Sequence, residues 1–76
     1  MDPRPRRHSL GWIELVRADP DIRLADIGAR LGVTTSAVSF WLAGDRRAPA
    51  ALFDVIAEMV DEATARRVAR AIGVER

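Results

Sequence analysis

Between Leu24 and Gly44 two short runs of helical periodicity are joined by only three residues, Gly32, Val33 and Thr34. Leu24, Ile27 and Leu31 put apolar side chains on one face of a helix over about 24–31, and Gly32 stands just beyond its end, where a left-handed backbone costs least. Thr34 is an N-cap residue for another helix over about 35–43, which stops at Ala43-Gly44-Asp45. The two helices must therefore meet at a tight corner. Gly28, one turn before Gly32 on the inner face, permits the close crossing, and Ile27, Leu31, Val33, Val38 and Trp41 are expected to close it. In the second run Val38, Trp41 and Leu42, with Ala37 beside them, fall on one side of a 3.6-residue repeat and form a core face. Thr35, Ser36, Ser39, Phe40 and Ala43 fall on the other. Trp41, opposite the polar face, is expected to pack rather than to stack on a ligand.

The rest of the chain is written in the same manner. Leu10, Ile13 and Val16, flanked by Trp12 and Leu15, predict a first helix over about 10–18, with Ser9 able to cap it and Asp19-Pro20-Asp21 ending it. After Arg46-Arg47-Ala48-Pro49, a fourth helix carries Leu52, Val55, Ile56 and Met59 on one stripe and Asp54, Glu58, Asp61 and Glu62 toward solvent. A last helix over about 62–72 begins near Asp61 and ends at Gly73, with Glu62 and Arg66 at the favourable i, i+4 spacing. The pattern leaves open whether the last two are separate or one rod. Residues 68–74 echo residues 27–33, which is how an amphipathic helix closes on a glycine followed by an apolar residue.

The chain has 76 residues, enough for one all-α domain, a compact bundle of about five helices over 9–76 preceded by a basic arm at 1–8. It has no cysteine, so neither a disulfide nor a thiolate zinc site staples it, and the core must be apolar. No apolar run nears the roughly 20 residues that span a bilayer, and Met1 to His8 lead into no signal-peptide core, so a soluble, cytoplasmic protein is expected. Net charge is +1, and all twelve basic residues are arginine. Residues 1–47 hold eight arginines against six acids, whereas residues 48–76 hold four against five. The positive excess thus surrounds the tight corner.

From Leu24 to Gly44 the small residue, the Gly-Val-Thr turn, the polar helix start, Val38, Trp41 and the closing glycine together resemble the helix-turn-helix of the phage repressor and Cro family, and the five-helix layout fits about residues 9–72. The resemblance implies a lambda-repressor-like DNA-binding fold in a prokaryotic or phage protein, with the start of the third helix in the major groove. Base readout would then fall to Thr35, Ser36, Ser39 and Phe40, the hydroxyls on base edges or phosphates and Phe40 against a thymine methyl. No Arg, Gln or Asn projects from that face. Arg46 and Arg47 in the following loop are expected to reach the backbone beside the groove or a base at its edge, with further grip from Arg23 and Thr34 and from Arg4, Arg6 and Arg7 in the arm, where terminal charge is equally consistent with a solubilising tail. Two positions depart from the family: where many members have a capping hydroxyl and a phosphate-binding Gln, this chain has Arg23 and Leu24. Arg23 can substitute by charge, and Asp26 can bond free amides at the helix start.

The expected function is a sequence-specific double-stranded DNA-binding transcriptional regulator, a repressor working as a homodimer on a short palindromic operator and occluding polymerase. Two recognition helices related by a two-fold axis read half-sites about 34 Å apart, where one reads only a few base pairs. Phe53, Val60, Val68, Ile72 and Val74 exceed what one small core needs and are the candidate dimer interface. The alternatives are a protein-interaction module docking through Phe40 and the acidic fourth helix, and an antitoxin-type autoregulator. His8 is the only histidine, and the helix-four carboxylates follow a solvated stripe, so no metal, cofactor, small-molecule ligand or enzymatic activity is expected.

Overall fold

The computed structural model describes residues 10–74. Ser9 and the whole arm, including Arg4, Arg6 and Arg7, lie outside them. The fold is all-α, a bundle of α1 (Leu10–Ala18), α2 (Leu24–Leu31), α3 (Thr35–Ala43), α4 (Ala50–Met59) and α5 (Glu62–Ala71). No strand occurs among the described residues.

Local chemistry sets these boundaries. Thr34 caps α3, its Oγ1 accepting the Ala37 amide at 3.1 Å, and Asp61 caps α5, its carboxylate accepting the Thr64 amide at 2.6 Å. Pro49 starts α4 in extended backbone. The fourth and fifth helices are separate: α4 ends at Met59, and the chain turns through Val60 before Asp61 begins the next cap. The echo between 27–33 and 68–74 is one closing motif used twice. Gly32 and Gly73 take φ of 70° and 84°. The amides of Val33 and Val74 then reach back to the carbonyls of Gly28 at 2.9 Å and Ala69 at 2.7 Å.

Leu15, Ile27, Val38, Leu42, Leu52, Ile56 and Val68 are buried to within a per cent or so and form the centre of the bundle. Helix α5 packs on α1 and α4, while α3 packs on α2 and α1. Ion pairs tie the periphery: Arg67 of α5 reaches Glu14 of α1 at 3.6 Å, Arg30 of α2 reaches Glu58 of α4 at 3.9 Å, and Glu62 and Arg66 pair at 3.2 Å. Each pair has at least one partner open to solvent and is worth at most about 1 kcal/mol, so the core rather than the charges carries stability.

Three expectations need correction. The stripe expected of the first helix is rotated, because Leu10 is 46% exposed while Gly11 and Leu15 face inward. Val33, expected to close the α2–α3 corner, is 36% exposed. Its carbonyl does the packing instead, since a β-carbon at Gly28 would lie only 2.8 Å from it. Among the interface candidates, Phe53 at 4% and Val68 at 0% exposure belong to the chain's own core, which needs them because α4 and α5 pack against each other there. Val60, Ile72 and Val74 stay half-buried.

Candidate nucleic-acid interface

Helix α3 divides as its spacing requires. Val38 and Leu42 are buried, Ala37 and Trp41 half-buried, and Thr35, Ser36, Ser39 and Phe40 exposed on the opposite side. The four residues expected to read bases therefore share one solvent-facing surface, backed by a face that is fixed in the core. Trp41 is half-buried and packs against that core, on the side of α3 away from Phe40.

The corner beneath this surface is rigid for identifiable reasons. Gly28 meets the Val33 carbonyl with no room for a side chain, and Thr34 Oγ1 holds the first turn of α3. A hydroxyl that accepts a cap bond still has a proton to donate, so Thr34 can cap α3 and bond an anion together. Trp12, Leu24 and Leu42 line a small crevice of about 80 Å³ at the foot of α3, next to Ser39 and Ala43. Leu24 thus packs beneath the helix, a role open to an apolar residue and not to a polar phosphate ligand.

Around the surface lie arginines with no acidic partner. Arg23 occupies the N-cap position of α2 in extended backbone and gives that helix no side-chain cap. Its own carbonyl takes the amides of Asp26 and Ile27, at 3.1 and 3.4 Å, which leaves the amides of Leu24 and Ala25 without a cap from it. Arg46 and Arg47 are both exposed in the segment joining α3 to α4. Among the described residues Arg17, Arg30, Arg66 and Arg67 pair with carboxylates, whereas Arg23, Arg46 and Arg47, together with Arg70 on α5, make no ion pair.

One contact was not foreseeable from periodicity. The guanidinium carbon of Arg46 sits 4.4 Å from the centroid of the Phe40 ring, a cation–π stack. Residues six apart do not face each other on a helix. They meet because α3 ends at Gly44, where the Gly44 amide bonds the Trp41 carbonyl at 3.1 Å and the Asp45 amide bonds the Phe40 carbonyl at 3.0 Å, folding the chain back over the last turn. The helix-ending glycine two residues before Arg46 was the only sequence signal available.

No helix among the described residues is long and apolar enough to cross a membrane. No protein-family model, curated protein or solved structure matches this chain.

Proposed function

We propose that this chain is a sequence-specific, double-stranded DNA-binding transcriptional regulator, a repressor that occupies a short palindromic operator as a homodimer. The observation that carries it is the sorting of charge around α3. Of the four described arginines with no carboxylate partner, three, Arg23, Arg46 and Arg47, lie around the exposed Thr35, Ser36, Ser39 and Phe40, and the fourth, Arg70, lies on α5, whose other arginines Arg66 and Arg67 are paired. Unpaired guanidinium groups beside an exposed helix suit a phosphate backbone on either side of a groove.

In this reading α3 enters the major groove with Ser36 and Ser39 on base edges, and Arg47 and Arg23 hold the backbone. The uncapped amides at the start of α2 add an anion-favouring end there, since helix N-termini attract phosphate. Leu24 contributes nothing to this clamp, so charge from Arg23 takes the place of a hydrogen-bonding side chain. Repression follows from occupancy: a domain of this size covers its site and blocks another protein from it.

Anisotropy titration of a labelled duplex at several salt concentrations tests the reading. Binding through phosphates predicts log K falling linearly with log salt, with a slope of about 0.9 for each phosphate neutralised. A chain that docks on proteins instead would retain no duplex at low salt.

A further inference from the structure

Phe40 is 40% exposed on the outer face of α3, an unusual place for a large ring, and Arg46 stacks on it at 4.4 Å. A stacked guanidinium gives its flat face to the ring and keeps its N–H donors in the plane around its rim. No carboxylate of the described residues engages those donors. Stacking also restrains a long side chain that would otherwise lose rotamer freedom on binding. The pair therefore presents an apolar ring and a planar, two-pronged donor side by side.

In a major groove these are the complements of two groups, the C5-methyl of thymine and the O6 and N7 edge of guanine. Adjacent bases on a strand are separated by about 3.4 Å along the axis, comparable to the ring-to-guanidinium spacing. A phosphate would satisfy Arg46 and leave Phe40 in water, so the exposed ring favours the bases. We infer that Phe40 and Arg46 act as one reading unit for a thymine beside a guanine, Phe40 covering the methyl and Arg46 bonding the guanine edge. This rests on the DNA-binding reading and adds the base-specific contact that the hydroxyl face of α3 lacks.

The test uses the full chain and a duplex enriched from a random-sequence pool, with single bases replaced in the DNA and affinity read by anisotropy. Replacing one thymine per half-site by deoxyuridine should weaken binding about fourfold, the size of one buried methyl, and should leave Phe40→Ala unaffected. Replacing the neighbouring guanine by 7-deazaguanine should weaken the unsubstituted chain by at least about fivefold and leave Arg46→Ala unaffected. Arg46→Lys, which keeps the charge without the planar fork, should match Arg46→Ala in its indifference to that guanine. Because the methyl and N7 are removed from the DNA, the response of the unsubstituted chain reads each contact without any variant, and the variants are read only where they still retain the unmodified duplex. Indifference of the unsubstituted chain to every such replacement, or equal responses in the variants, overturns the reading unit while DNA binding stands. Failure to retain any duplex overturns both.

Discussion

A β-carbon placed on Gly11 of α1 would lie 2.6 Å from the carbonyl oxygen of Leu42 in α3 and 2.9 Å from Cγ2 of Ile72. Helix α1 therefore rests directly on the backbone of α3, behind the face that carries Thr35, Ser36 and Ser39. An exposed mid-helix Gly→Ala change stabilises by about 0.5–1 kcal/mol. Here the collision is with backbone, which cannot rotate away, and Gly11→Ala should instead destabilise by about 1–3 kcal/mol. Urea unfolding checks this, and unchanged or increased stability would show that α1 and α3 are not in this contact.

The helix boundaries were legible because the chain punctuates them with residues of narrow use. Gly32, Thr34, Gly44, Pro49 and Asp61 each do one job at a helix end, and each does it in the structure. What could not be read was which side of a crowded helix turns inward. Leu10, Trp12, Ile13, Leu15 and Val16 surround α1, so periodicity offers no single stripe, and Gly11, the residue that decides the packing, has no side chain to register. Phe53 and Val68 were misplaced for a related reason, since core capacity depends on helix–helix geometry that composition does not contain. The hydroxyl face of α3 was legible from spacing alone, but the Arg46 stack on Phe40 required knowing how the chain folds back at Gly44.

The Asp61 cap should give a specific acid response. The Thr64 amide, then the Thr64 hydroxyl and the nearby charge of Arg67, hold the Asp61 carboxyl below the usual carboxylate range. A carboxylate with a depressed folded pKa contributes stability that is fully present above its unfolded pKa and is lost as pH falls through the folded one. Asp61→Asn keeps an acceptor oxygen but does not titrate. The stability difference between the unsubstituted chain and Asp61→Asn should hold near neutral pH and shrink below about pH 4. A difference that is constant down to about pH 2 would show that the charge of Asp61 is not part of the cap.

Charge at the groove edge should separate from base reading. Arg47→Ala and Arg23→Ala should each reduce the slope of log K against log salt by about 1 and weaken all duplexes alike. Ser36→Ala and Ser39→Ala should leave the slope alone and alter the preferred sequence. Variants that change both quantities together, or neither, would place these residues away from the duplex.

Two-fold assembly should depend on the half-buried apolar residues that follow α4 and α5. Val60 follows α4 and Val74 follows α5, where Val74 borders an open groove of about 560 Å³ that also includes Trp41 and Ala48. If these residues cover each other between two copies, Val60→Ser and Val74→Ser should each weaken self-association by at least about tenfold, since every loss is counted in both copies. Sedimentation equilibrium at micromolar concentration reads this directly. A monomer at that concentration, with and without DNA, would leave no homodimer to explain.

Selection of bound sequences from a random duplex pool is the most direct test of a DNA-reading α3. The expected product is one family of inverted repeats whose half-sites are centred about 34 Å apart, with Ser36→Ala and Ser39→Ala shifting the enriched bases. A pool that emerges as random as it entered, from the unsubstituted chain and the variants alike, would contradict sequence-specific binding.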